Sequence, residues 1–119
     1  MSYQSRYTNP HIKMEKSNAI LINANDRTIT KVVVETVEDI TRLIGCDLFT
    51  CVRIDRSETI YVDDEGLLKN PTVGFKHTAY DAPLAGNGLI LGTTAMGDST
   101  DTKQTIHDVY MDTDFLRFG

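Results

Sequence analysis

The chain has 119 residues, which is the size of a single domain. Apolar residues make up 40% and charged residues 24%, enough for one modest core and too little for two. No apolar run is long enough for a transmembrane helix, and the first residues lack the apolar segment of a secretory signal. Two cysteines cannot build a disulfide scaffold. These features favour a soluble intracellular protein.

Charge is unevenly spread between the two halves of the chain. Residues 1–57 carry a net charge of +1, whereas residues 58–119 carry −6. An acidic half repels phosphate, so we expect neither nucleic acid nor a membrane as a partner. The excess of carboxylates can be a solvated face, or it can be a surface that imitates DNA or docks a basic partner. The composition leaves both readings open.

The N-terminal part predicts a polar arm followed by a β-hairpin. Residues 1–18 show no apolar period, and Asn9-Pro10 disfavours a helix there, so we expect a flexible arm ahead of a domain over residues 19–119. Ala19 to Ala24 is a short apolar run that predicts a strand. Thr28 to Glu35 is rich in β-branched residues, which suit a second strand.

A helix is the strongest local prediction. Thr36 can cap its start, with Asp39 in the reciprocal position of a capping box. An apolar stripe at helical spacing follows, and Gly45 can take the left-handed conformation that ends a helix. The stripe consists of Val37, Ile40, Leu43 and Ile44. It predicts a short helix packed on the sheet.

Two more strands and an acidic turn are predicted in the middle of the chain. Phe49 to Asp55 and Thr59 to Val62 read as a second antiparallel pair. Asp63-Asp64-Glu65-Gly66 reads as a tight turn, with Gly66 free to take a positive φ. Leu67 and Leu68 are then expected to return to the core.

The remaining chain is predicted as loop and strand. Residues 70–88 contain two prolines and three glycines and read as a long loop, which in a small domain tends to be functional. Leu89 to Thr93 reads as a buried strand. Ile106 to Met111 is predicted as a last strand, and Asp112 to Asp114 as the cap of a final turn.

These elements predict an α+β domain: a mainly antiparallel sheet of about five or six strands, with one short helix on one face. One short helix cannot cover such a sheet. We therefore expect a homo-oligomer, with a dimer as its commonest form.

The loop carries the candidate ligand-binding residues Lys69, Phe75, Lys76, His77 and Tyr80. Cations beside aromatic rings could hold a small anionic ligand such as a nucleotide. Alternatively, Phe75 and Tyr80 pin the loop to the core.

Catalytic and metal signatures are weak. The three carboxylates from Asp63 to Glu65 point in different directions and lack the spacing of a calcium loop. His77 could form a metal site with His107 and Asp108, but no zinc-protease, phosphate-loop or serine-elbow motif is present. We expect no catalytic residue, metal or cofactor.

Two runs of sequence resemble a known family. Ile60 to Asn70 contains the acidic turn with Glu-Gly, and Leu84 to Thr93 is a glycine-flanked apolar strand. With the helix ending at Gly45, they resemble domain of unknown function family 3846 of phages and mobile elements. The resemblance spans Ile29 to Phe118.

The chain departs from that family in a longer loop over residues 70–88 and a longer arm over residues 1–18. The resemblance implies a phage accessory protein made in the host cytoplasm, and it brings no catalytic residues with it. We therefore expect binding to a host or phage protein. Sequestration of a signalling nucleotide against host defence and a metal-dependent enzyme are the alternatives.

Overall fold

The computed structural model describes residues 13–118, which form a large antiparallel sheet, a small three-stranded sheet, two α-helices and one 3₁₀ helix. The strands are β1 (Lys13–Asn23), β2 (Thr28–Thr36), β3 (Phe49–Arg53), β4 (Glu58–Asp63), β5 (Val73–His77), β6 (Leu84–Ala85), β7 (Gly88–Thr93), β8 (Ser99–Thr100) and β9 (Thr113–Arg117). The helices are α1 (Val37–Ile44), the 3₁₀ helix (Gly66–Lys69) and α2 (Ile106–Asp112). The predicted α+β class is confirmed.

The large sheet has the strand order β2-β1-β7-β4-β3, and β8 pairs with the end of β7. The central register places Ile90 of β7 between Ile20 of β1 and Ile60 of β4. These buried, β-branched side chains point to one face, as the two-residue period of strands requires. The central strand β7 therefore pairs with two strands, β1 and β4, that are far from it in the sequence.

The first strand is longer than predicted. It begins at Lys13 and not at Ala19, because its polar residues pair with the second half of β2, as in Ser17 opposite Val34. Residues 13–18 thus belong to the sheet. Residues 1–12 of the predicted arm lie outside the described residues.

The predicted helix α1 is confirmed in its bounds and its caps. The Thr36 hydroxyl accepts from the Asp39 amide at 3.1 Å, and the Asp39 carboxylate accepts from the Thr36 amide at 3.1 Å. Gly45 ends the helix with φ of 81°. Val37, Ile40 and Ile44 are buried against the sheet, whereas Leu43 is only partly buried.

The predicted loop over residues 70–88 is wrong as a loop, because it contains β5 and β6. These strands form the small sheet with β9. Phe75 pairs with Leu84 on one side and with Phe115 on the other. The turn residues around β5 and β6 predict a loop. The third strand, β9, is distant in the sequence, so local patterns do not predict this sheet.

The C-terminal predictions are also wrong. Residues 106–111, the predicted last strand, lie in helix α2, and strand β9 follows in place of the predicted final turn. A second capping box starts α2: the Thr105 hydroxyl accepts from the Asp108 amide at 3.1 Å, and the Asp108 carboxylate accepts from the Thr105 amide at 2.9 Å. The i, i+3 spacing of Ile106 and Val109 fits this helix.

Two cores lie on the two faces of the large sheet. Helix α1 covers the face that carries Phe49, Tyr61 and Leu89. The small sheet and α2 contribute Phe75, Leu84 and Val109 to the other face. The second face of the sheet is thus covered by other parts of the chain, so an uncovered face is no longer a reason to expect a homo-oligomer. Self-association itself stays a prediction.

None of the helices within residues 13–118 has the length and apolar character that crossing a membrane requires.

Candidate functional site

The acidic turn after β4 is built around the carboxylate of Asp63. Its Oδ1 accepts from the Glu65 amide at 2.9 Å, and its Oδ2 accepts from Lys69 Nζ at 2.8 Å. One carboxylate thus organises the turn and also binds the end of the 3₁₀ helix. This hydrogen bond raises the pKa of Lys69. Asn70 closes the helix in the left-handed conformation, with φ of 50°.

The position of the 3₁₀ helix is set by Gly66. This glycine is buried, and a Cβ added to it would stand 3.1 Å from the Cβ of Ala85 on β6. Its φ is not positive, so the predicted role in a positive-φ turn is wrong and the requirement for glycine is steric. The backbone, not the side chains that follow, packs on the core.

Leu67 and Leu68 therefore point outward, which contradicts the prediction that they return to the core. They are 59% and 80% exposed. The two neighbouring side chains form a small exposed apolar patch, and contiguous apolar patches can mark interaction sites. We refer to this pair as the leucine ridge.

A groove of about 180 Å³ runs beside the leucine ridge. Its lining includes Thr50 and Val52 of the edge strand β3, together with Tyr80 and residues 82–85. Val52 and Leu84 belong to the buried core beneath it. The groove is thus an apolar concavity whose floor is the packed core of the domain.

Carboxylates stand at one end of this groove. Asp63, Asp64 and Glu65 all line it, and Glu65 is exposed. Asp63 is bound to Lys69 at 2.8 Å, and the exposed Glu65 adds a negative charge beside it. An apolar groove with an acidic rim fits a partner that offers apolar and basic groups together.

Thr50, one of the residues that line the groove, carries an unsatisfied hydroxyl. Its oxygen is shielded from water and has no hydrogen-bond partner among residues 13–118. Buried polar groups are normally paired, because an unpaired one loses its hydration without compensation.

The structure does not bring the predicted ligand-binding residues together. Phe75 and His77 alternate with Lys76 along β5, so the first two are buried and Lys76 is exposed. Phe75 is fully buried in the core, which supports the alternative in which it pins this segment. Tyr80 lines the groove described above.

Lys69 lies between two open clefts of about 300 and 220 Å³ near the end of α1. Both cations that line these clefts bond to carboxylates: Lys69 to Asp63, and Arg42 to Asp39 at 3.0 Å. Burial raises the pKa of the neighbouring Cys46 thiol to about 12, so this cysteine is protonated and a poor nucleophile. Among the described residues that line them, the clefts thus offer neither an unpaired cation nor a reactive thiol.

His77 is buried, with 2% exposure. Its Nδ1 accepts from the Ala79 amide at 3.0 Å, and its Nε2 has no hydrogen-bond partner within the described part of the chain. Burial lowers the pKa of this imidazole, and the charge of Asp112 opposes that shift. The neutral form with a proton on Nε2 follows from this geometry.

The structure gives no support to the alternative in which His77, His107 and Asp108 form a metal site. His77 lies on β5, whereas His107 and Asp108 are exposed on α2, and the Asp108 carboxylate caps that helix. Its hydrogen bonds to Thr105 lower the pKa of Asp108. Within the part of the chain that the structure describes, no three His, Cys, Asp or Glu residues are placed to hold a metal ion.

The residues of this site that are wrongly predicted are Leu67 and Leu68, since both are expected in the core and both are exposed. Thr50 lies in a strand and Pro83 lies outside the strands, as predicted. The signal was present in the pair of leucines directly after the acidic Glu-Gly turn, because a four-residue helix cannot bury two adjacent side chains on one face.

A family model described as Domain of unknown function (DUF3846) matches residues 15–113. No curated protein and no solved structure matches the chain.

Proposed function

The chain belongs to the family described as Domain of unknown function (DUF3846), and we propose that it acts as a non-catalytic accessory protein that binds a protein partner through the leucine ridge and its groove. The resemblance to phage and mobile-element proteins makes a host or phage protein the partner in this proposal. The carrying observation is the exposure of Leu67 and Leu68 on a segment that is held rigidly.

That rigidity comes from three separate contacts. Gly66 packs on Ala85, Asp63 binds Lys69, and the Leu68 amide donates to the Glu65 carbonyl at 3.0 Å. A preorganised apolar surface loses little conformational entropy when it binds, so more of its burial appears as affinity. Leucines exposed merely by disorder would not have this advantage.

Charge favours a partner with basic residues. Asp64 and Glu65 stand beside the leucines, in a half of the chain with a net charge of −6. Such a field speeds the encounter with a positive surface and rejects acidic proteins. This proposal extends the hypothesis that the acidic half of the chain docks a basic partner, and it adds Leu67 and Leu68 as the apolar contact.

Affinity purification with matched variants tests the proposal. Tagged wild-type protein, Leu67→Ser/Leu68→Ser and a Met96→Ser control are expressed in cells that contain the family's natural partners, and the retained proteins are quantified. Met96 is 87% exposed on the β7–β8 turn, so its loss controls for a generic apolar effect.

The proposal predicts a protein retained by the wild type and by Met96→Ser but lost from the double variant. All three exchanges are at exposed positions, where the free energy of unfolding changes by no more than about 0.5 kcal/mol. Equal retention by all three forms would contradict the proposal, and retention of only a second copy of this chain would replace the foreign partner with self-association.

A further inference from the structure

We propose that two copies of this chain pair through β2, in antiparallel orientation about a two-fold axis at Val33, so that their large sheets join into one. This inference is independent of the proposed function and concerns a different surface. It rests on the position of β2 in the sheet, on the symmetry of its sequence and on the charges that its side chains carry.

Strand β2 forms one edge of the large sheet. Among residues 13–118 it pairs with β1 alone, so its outer side offers backbone groups to another strand. The Glu35 amide is an exception, because it donates to the Asp39 carboxylate at 2.8 Å. Natural edge strands are commonly short or contain proline, whereas β2 has nine residues and no proline. It is therefore a suitable template for a further strand.

The sequence of β2 is complementary to itself in one antiparallel register. Residues 30–36 read Thr-Lys-Val-Val-Val-Glu-Thr. When Val33 lies opposite its own copy, Lys31 lies opposite Glu35 of the partner subunit, valine lies opposite valine, and threonine lies opposite threonine. Cross-strand pairs of each of these kinds stabilise a sheet. Moving the axis by one residue in either direction separates both charge pairs, so the charges select this register.

The side chains that would meet across the axis are accessible. Lys31 and Glu35 are exposed, and Val33 is 47% exposed. Within the described part of the chain, neither Lys31 nor Glu35 forms an ion pair. A lysine on an edge strand normally discourages pairing, but here Glu35 of the partner subunit would compensate its charge.

Helix α2 adds apolar surface beside this edge. It packs against β2, on the face of the sheet whose core contains Ile29 and Val109. Val33 shares that face with Ile29, because side chains alternate along a strand. The α2 residues Tyr110 and Met111 are exposed. Burial of such apolar area adds to the affinity that a main-chain ladder provides.

A charge-reversal cycle tests this dimer without any foreign partner. Wild-type protein, Lys31→Glu, Glu35→Lys and the double variant Lys31→Glu/Glu35→Lys are compared by sedimentation equilibrium over a range of concentrations. Arg56→Glu, at an exposed position between β3 and β4, controls for the change in net charge. Circular dichroism verifies that every variant is folded.

We expect the wild type to form a dimer. Each single reversal should raise the dissociation constant by about tenfold, because the two-fold axis turns both attractive pairs into repulsive ones. The double variant restores opposite charges and should dimerise like the wild type, as should Arg56→Glu. Amide hydrogen exchange of residues 30–34 in the wild type should become slower as the protein concentration rises.

Three results overturn the inference. The first is a monomer at every concentration. The second is a dimer that survives both single reversals, which would place the interface on another surface. The third is a double variant that dimerises no better than the single variants, since the charges would then not pair across the axis.

Discussion

Gly66 lies so close to Ala85 that a Cβ on the glycine would stand 3.1 Å from the alanine Cβ. This contact seats the 3₁₀ helix on β6 through its backbone, and so turns Leu67 and Leu68 toward solvent. The exposed leucine ridge is thus a consequence of close packing one residue earlier.

Substitution of Gly66 should therefore destabilise the domain and displace the ridge. Gly66→Val should lower the free energy of unfolding by about 1–3 kcal/mol, the usual cost of overpacking. Urea denaturation measures this cost, with Leu67→Ala as the exposed control that should stay within about 0.5 kcal/mol. A Gly66→Val protein as stable as the wild type would show that the two elements are not in close contact.

Ile40 reports on the packing of α1. It is 1% exposed within the core on the α1 face, so Ile40→Ala should cost about 2–5 kcal/mol through lost apolar burial and a cavity. Glu38→Ala, on the exposed side of the same helix, is the control. A loss below about 1 kcal/mol for Ile40→Ala would mean that a different face of the helix is buried.

Glu58 holds the segment that precedes α2 through hydrogen bonds. This buried carboxylate accepts from the Thr102 hydroxyl and, at 3.0 Å, from the Lys103 amide. Glu58→Gln exchanges one hydrogen-bond acceptor for a donor. We therefore expect the free energy of unfolding to fall by about 1–3 kcal/mol and hydrogen exchange at the Lys103 amide to become faster. Unchanged exchange at that amide would exclude this role for Glu58.

His77 should make stability depend on pH. Burial lowers its folded-state pKa below the ordinary value of 6.5, so the unfolded chain binds its proton first as the pH falls. Neutral His77 therefore makes its full contribution to the free energy of unfolding above pH 6.5. This contribution is lost as the pH falls from 6.5 to the lowered pKa of the folded state.

Urea unfolding from about pH 8 to about pH 5 measures this contribution, because stability rises with pH wherever the unfolded state holds more protons. The wild type should lose more stability over this range than His77→Gln, in which the titrating group is absent. Carboxylates such as Asp39, with lowered pKa values, are present in both proteins and cancel. Parallel pH profiles would contradict a shifted His77.

The parts of the fold that the sequence predicts correctly are those with a complete local signal. Thr36, Asp39 and Gly45 specify both ends of α1, and β-branched residues mark β2. Helix α2 was missed although Thr105 and Asp108 repeat the same capping box, since a seven-residue segment holds too few apolar positions to separate the helical period from the strand period.

The small sheet and the groove depend on contacts that local patterns do not encode. Phe75 pairs with Phe115 across 40 residues of chain, and each of the two strands is only five residues long. The exposure of Leu68 depends on a steric contact between Gly66 and Ala85. Such tertiary contacts override local propensity.

Site-specific photocrosslinking tests most directly whether the leucine ridge contacts a protein partner. A benzophenone amino acid replaces Leu68 in one form of the protein and Met96 in another, and both are irradiated in cells that contain the partner. We predict a discrete adduct with a foreign protein from position 68, absent from position 96 and weakened by Glu65→Lys. Equal adducts at both positions, or none at position 68, would contradict it.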